Sequence, residues 1–93
     1  MNIRYYIDAE TERPHILRHG VAEHEVEQVL SRPAEERPGR DGSRVVIGRT
    51  LAGRYLRVVY VADAQSGVFV ITAFELRAKP LTAFKRRMWR RKR

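Results

Sequence analysis

The sequence predicts an α+β domain, in which an antiparallel sheet of about four strands carries two short N-terminal helices and a basic C-terminal helix. Three observations support this fold class. An apolar stripe at helical spacing lies in the first half of the chain. Stretches rich in β-branched and aromatic residues alternate with turn residues in the second half. The connections between these stretches are short, which favours antiparallel neighbours and helices packed on one sheet.

The N-terminal half is predicted to hold one strand and two helices. Residues 2–7 (NIRYYI) are rich in β-branched and aromatic side chains and predict the first strand. A brief helix follows, with Pro14 in its first turn and Gly20 ending it in a left-handed conformation. The second helix covers residues 23–32 and stops at Pro33. Its apolar stripe at i, i+3 and i+4 consists of Val26, Val29 and Leu30.

The C-terminal half is predicted to be a strand meander followed by a helix. Residues 33–42 are rich in proline, glycine and charge, so we expect a loop there. The three strands that follow cover residues 43–50, 54–61 and 68–76. Strand alternation places Arg57 and Tyr60 on opposite faces of the sheet. From Pro80 onward an amphipathic helix is predicted to dock through a stripe formed by Leu81, Phe84 and Met88.

Length and composition restrict the class of protein. The chain has 93 residues, which we interpret as a single domain over residues 1–93. It contains no cysteine, so neither a disulfide nor a thiolate metal site contributes to the fold. It lacks a signal-peptide pattern and any apolar run near the roughly 20 residues that cross a bilayer. We therefore expect a soluble cytoplasmic protein that does not contact a membrane.

Charge is concentrated in a basic C-terminal helix or tail at residues 79–93. This segment holds eight Lys or Arg and no acid, whereas the first 78 residues hold 11 basic and 11 acidic side chains. The net charge of +8 therefore lies entirely in the tail, which suits a polyanion or an acidic protein segment. Trp89 either stacks on a base or completes the docking stripe. The candidate RNA-binding residues are Lys85, Arg86, Arg87, Trp89, Arg90 and Arg91.

Polar side chains gather near the ends of the predicted strands, where Glu75 stands among several arginines. Arginines there can neutralise a phosphate, while Glu75 can orient a guanidinium or accept a proton. The preferred alternative is a cross-strand Arg–Glu ion pair at a solvated edge. The arginines concerned are Arg44, Arg49, Arg54, Arg57 and Arg77.

The three histidines do not predict a metal site. His15 and His19 lie four residues apart, but no third ligand accompanies them. His19 beside Gly20 is interpreted as a residue at a helix C-terminus, and His24 as ordinary helix surface. We expect neither a metal nor another cofactor.

Five segments of the chain resemble the BrnT-like toxins of the RelE/ParE-like group: IDAETERPHILRHGV, EVEQVL, GRDGSRVVIGRT, RYLRVVYV and VFVITAFEL. The resemblance runs from about Tyr6 to Arg87. Its most telling parts are Asp8, the turn at residues 19–21, the IGRT strand end and the VVY strand. The chain departs from the family pattern at Phe74, where typical members carry Arg or Lys.

The resemblance implies a compact RelE-like fold and a toxin of a type II toxin–antitoxin pair. Such a toxin cleaves mRNA or blocks translation, and a cognate antitoxin protein covers it. RNA cleavage would use the 2′-hydroxyl as nucleophile, with arginines stabilising charge on the phosphate. The candidate catalytic residues, including the strand-end carboxylate, are Arg49, Arg57, Tyr60, Glu75 and Arg77. The alternative is a non-catalytic module that binds RNA, the ribosome or an antitoxin, or an uncharacterised relative of the group.

Overall fold

A five-stranded mixed sheet forms the centre of the protein in the computed structural model, which describes residues 2–64 and 67–91. The strands are β1 (Asn2–Tyr5), β2 (Glu35–Pro38), β3 (Arg44–Arg49), β4 (Tyr55–Asp63) and β5 (Gly67–Glu75). Their order across the sheet is β1-β5-β4-β3-β2. The helices are α1 (Glu23–Ser31) and α2 (Ala78–Arg91), and short 3₁₀ helices cover His15–His19 and Arg40–Gly42. The predicted α+β class and the β3–β4–β5 meander are confirmed.

The predicted sheet is wrong in two respects. Residues 33–42, expected to be a loop, contain β2, which pairs with β3 so that Glu35 lies opposite Ile47. β2 is an edge strand and ends at Pro38, a position where a missing N–H costs no ladder hydrogen bond. The sheet is also not purely antiparallel, because β1 pairs with β5 in parallel. A parallel pair between distant segments leaves no local turn signal in the sequence.

The helices differ from the prediction mainly at the N-terminal end. The first predicted helix is a 3₁₀ helix at His15–His19, and Pro14 precedes it rather than occupying its first turn. Gly20 ends this helix with φ 70°, the left-handed conformation expected of it. The C-terminal helix begins at Ala78, two residues before the predicted start, and Pro80 is tolerated there because the first turn has unbonded amides.

Different helices cover the two faces of the sheet. The main core lies on the α1 face, and Gly48 allows close packing there, since a Cβ at that position would lie 3.0 Å from Cγ1 of Val29. The fully buried members of this core are Ile16, Val21, Val26, Val29, Val46, Leu56, Val58, Val70 and Ala73. On the opposite face α2 docks through Phe84, which packs with Ile47 and Leu76. Leu81 and Met88 join this smaller cluster, so the predicted docking stripe is confirmed.

Buried or partly buried carboxylates tie the elements together through arginine. Arg18 is the main cause that holds the pKa of Asp8 well below its ordinary value, and the hydrogen bonds from Arg87 are the main cause that lowers the pKa of Glu35. Neither helix in the described ranges is long and apolar enough to cross a membrane.

We expect these carboxylates to make the protein acid-sensitive. Because their pKa values are lowered in the folded state, the unfolded chain takes up protons at higher pH than the native protein does. The stabilisation is therefore complete above the ordinary carboxyl range near pH 4 and is lost as pH falls through and below it. Urea unfolding at a series of pH values measures this, with Glu35→Gln as a variant that should show a smaller decline. A free energy of unfolding that stays constant from neutral pH to pH 3 would contradict the expectation.

Candidate nucleic-acid interface

Two adjoining clefts, of about 990 and 440 Å³, form a groove at one end of the sheet. Ala34 and Arg49 line both clefts, and we call the whole depression the Arg49 groove. The larger cleft is lined by the C-terminal part of α1, the residues just after it and the β3–β4 turn: Gln28, Ser31, Arg32, Pro33, Thr50 and Leu51. Side chains of β4 and α2 line the smaller one: Tyr55, Phe84, Lys85, Met88 and Trp89. Among the residues that the structure describes, the lining of the groove contains three basic side chains and no acidic one.

Two cations meet one aromatic ring in this groove. Arg49 at the end of β3 lies opposite Tyr55 at the start of β4, and its guanidinium carbon is 5.5 Å from the Tyr55 ring centroid. The Nζ of Lys85, from α2, lies 5.4 Å from the same centroid. Across residues 2–64 and 67–91, no carboxylate forms a salt bridge with either cation. Their charge is therefore available to an external anion.

Trp89 provides the exposed aromatic surface of the groove. It lies one helical turn after Lys85 on α2, and 60% of its area is exposed. Phe84 lines the same cleft but is only 2% exposed, and it anchors the helix by packing with Ile47 and Leu76. Trp89 was predicted either to stack on a base or to complete the docking stripe, and its exposure favours the stacking role. Arg86, Arg90 and Arg91 are also exposed on α2 and enlarge its basic surface.

Arg87 differs from the other predicted RNA-binding residues because it is an anchor. Its Nε and Nη2 donate to the two carboxylate oxygens of Glu35 at 2.6 and 2.9 Å. This bidentate pair fixes α2 to β2. Arg91 also contacts the residue just before β2, because its Nη1 donates a hydrogen bond to the carbonyl of Ala34 at 3.4 Å. The last two basic residues of the predicted tail, 92 and 93, lie outside the described residues.

The five predicted catalytic residues do not converge. Arg49 and Arg57 lie on the α2 face, where Arg57 stands between Ile47 and Phe74 in the strand register. Tyr60 packs on the α1 side, as strand alternation predicts. Its hydroxyl donates to Glu36 at 2.8 Å, and burial together with this bond raises the pKa of Tyr60. A single phosphate cannot contact residues on both faces of the sheet.

Glu75 is held in a chain of ion pairs. Arg77 donates to its Oε1 at 3.1 Å and Arg54 donates to the same oxygen at 3.2 Å. Arg54 also donates to both oxygens of Glu25 in α1, at 2.8 Å each. The bonds from Arg77 and Arg54 hold the pKa of Glu75 below its ordinary value. Glu75 thus matches the ion-pair interpretation. The side chain of Arg77, the outer member of this chain of ion pairs, is 78% exposed.

The groove includes a candidate binding residue, Tyr55, that the sequence did not predict. Strand alternation places Tyr55 on the same face as Arg57, but the sequence alone did not single it out as a binding residue. Its position directly across the β3–β4 turn from Arg49 is a signal that pairing these two strands would have revealed.

The family match covers most of the sheet. The family described as a domain of unknown function (DUF4258) matches residues 15–75, which run from the start of the first 3₁₀ helix to the end of β5. Arg49 and Tyr55 lie inside this region, whereas β1 and α2 lie outside it. No curated protein and no solved structure matches the chain. Since the matched region spans about two thirds of the 93 residues, the chain belongs to the DUF4258 family.

Proposed function

We propose that this protein is a toxin of a type II toxin–antitoxin pair that acts on RNA, binding mRNA or ribosomal RNA through the Arg49 groove and so inhibiting translation. The observation that carries the proposal is the pair of cations, Arg49 and Lys85, on the ring of Tyr55. Neither cation forms a salt bridge with a carboxylate of the described chain. An acid-free groove of this kind attracts a polyanion.

RNA fits this groove better than a simple anion does. Lys and Arg side chains contact phosphates, while exposed aromatic rings provide platforms for unstacked bases. The groove offers both kinds of group, with Trp89 60% exposed beside Lys85. The combination favours single-stranded RNA, whose bases are free to turn toward an aromatic side chain.

The resemblance to BrnT-like toxins supports the biological role. It joins the basic groove to a class of proteins that inhibit translation and are neutralised by a partner. A cognate antitoxin is therefore the proposed protein partner, and an acidic segment of it would complement the basic surface of α2.

We expect induced expression to arrest bacterial growth and to lower the incorporation of labelled amino acids. Coexpression of the protein encoded by a small adjacent reading frame should restore both growth and amino-acid incorporation.

The purified protein should bind a fluorescent single-stranded RNA with an affinity that falls steeply as salt rises, since released counterions drive such binding. Normal growth at high expression together with absent RNA binding would overturn the proposal.

A further inference from the structure

A second cluster of chemically active side chains lies where the 3₁₀ helix His15–His19 covers the edge of β5. Four rings follow one another in edge-to-face contact there. The centroid distances are 5.9 Å from Tyr6 to His15, 5.1 Å from His15 to His19, and 6.1 Å from His19 to Phe74. None of these rings lines the Arg49 groove. The cluster brings two imidazoles together at a partly open surface, since His19 is exposed and the His15 side chain is 29% exposed.

A buried carboxylate orients one imidazole of the pair. Asp8 is 6% exposed and accepts hydrogen bonds from Nη1 of Arg18 at 2.9 Å and from the Glu10 amide at 2.8 Å. Its Oδ2 lies 3.3 Å from Nδ1 of His15. Because Arg18 in particular holds the pKa of Asp8 well below its ordinary value, the carboxylate has only acceptor atoms. Nδ1 of His15 must therefore donate, so Nε2 of the neutral ring is the nitrogen with a free lone pair.

The guanidinium of Arg57, which has one unsatisfied nitrogen, lies on the far side of the same row of rings. The guanidinium carbon of Arg57 is 5.9 Å from the Phe74 ring centroid, so Arg57 and His19 contact the same ring. Nε of Arg57 is buried and has no hydrogen-bond partner among the described atoms. No carboxylate in the described part of the chain forms a salt bridge with Arg57. A buried N–H donor without a partner is costly, and an anionic ligand would satisfy it.

We propose that His15 and His19 are the acid–base residues of a site that cleaves the bound RNA, with Arg57 stabilising the phosphate. This inference rests on the proposed function, which supplies RNA as the substrate. Asp8 is a positioning residue that acts through His15. The two histidines take the proton-transfer role in place of Glu75, which is held by Arg54 and Arg77.

The reaction is an internal transesterification. Nε2 of neutral His15 takes the proton of the 2′-hydroxyl, and the 2′ oxygen forms a bond to phosphorus. The bond from phosphorus to the 5′ oxygen breaks, and the imidazolium of His19 donates a proton to that oxygen. Arg57 stabilises the added charge on the non-bridging oxygens. The products are a 2′,3′-cyclic phosphate and a 5′-hydroxyl end, and exchange of protons with water restores both histidines.

We expect His15→Gln and His19→Gln each to lower the cleavage rate at saturating RNA by about 100-fold or more, the usual contribution of a general acid or base. RNA affinity should stay within about twofold of that of the unmodified protein, because the Arg49 groove is intact. The matched control is His24→Gln, which changes an exposed histidine of α1 outside the cluster. The substrate is a fluorescent single-stranded RNA, and its 2′-O-methyl analogue should bind without being cleaved.

The pH dependence separates a catalytic role from a structural one. The unmodified protein should show a bell-shaped rate profile. His15→Gln should lose the rise on the acid side, and His19→Gln the fall on the alkaline side. Asp8→Asn should slow cleavage, with partial recovery in Asp8→Glu, and circular dichroism verifies that each variant is folded.

Each alternative outcome has a defined meaning. RNA that is bound tightly but never cleaved overturns this inference and leaves the proposed function standing. Cleavage at undiminished rate in folded His15→Gln and His19→Gln also overturns it, because the site then lies elsewhere. Absence of RNA binding overturns both the inference and the proposed function.

Discussion

Replacing Phe84 with alanine is expected to weaken the docking of α2 by about 3–5 kcal/mol, the usual cost of removing a buried phenylalanine ring. Phe84 is 2% exposed and is the only α2 residue that is buried among those described. It packs with Ile47 and Leu76 in a cluster separate from the main core. A helix of 14 residues is marginal in water by itself, so we expect α2 to fray when this contact is lost.

The loss should be local at first. The α1 face keeps its own core, in which Leu56 and Val58 are completely buried. Phe84→Ala should therefore lower the helical signal in circular dichroism and the protection of α2 amides from hydrogen exchange before the sheet unfolds. Thr82→Ala, an exposed change on the same helix, is the matched control and should have little effect. Full amide protection of α2 in Phe84→Ala would show that another contact holds the helix.

Local sequence patterns predicted the parts of the fold that depend on local physics. The spacing of Leu81, Phe84 and Met88 predicts the docked face of α2 because a helix brings such positions together. Alternation separates Arg57 from Tyr60 because successive strand residues point to opposite faces. Gly20 adopts the left-handed conformation because it has no Cβ to oppose it.

Features that depend on distant partners were not predictable in the same way. The parallel pairing of β1 with β5 joins segments that are distant in sequence, and no turn motif between them predicts it. Arg87 looks like its basic neighbours in sequence, but Glu35 lies 52 positions away and turns it into an anchor. The carboxylate of Asp8 reaches His15 across seven positions through an irregular segment with no helical or strand period. For that reason the histidines showed no site in the sequence.

Arg49→Ala and Lys85→Ala are each expected to weaken binding of single-stranded RNA by about tenfold or more. The loss corresponds to about 1.5–3 kcal/mol for a hydrogen bond to a charged group. Each change should also reduce the slope of log affinity against log salt by about 0.7, the value for one phosphate contact on a single strand. Fluorescence anisotropy at several salt concentrations measures both quantities. Arg40→Ala is the control, because Arg40 is exposed and lies outside the groove. An equal loss in Arg40→Ala would mean that binding is spread over the surface.

Arg49→Ala and Lys85→Ala should weaken RNA binding without lowering the free energy of unfolding. This combination of effects is expected when a residue serves binding and not the fold. Arg49 and Lys85 hold like charges on one ring, and within the described chain no carboxylate forms a salt bridge with either. Like charges held close together oppose folding, so removing one relieves repulsion while it removes a cation–π contact. We expect urea unfolding of either variant to give a free energy equal to or above that of the unmodified protein. In the double variant the two effects on RNA affinity should fail to add, because both cations act through Tyr55 and the same stretch of RNA. A clear loss of stability on either change would show that the two cations serve the fold instead.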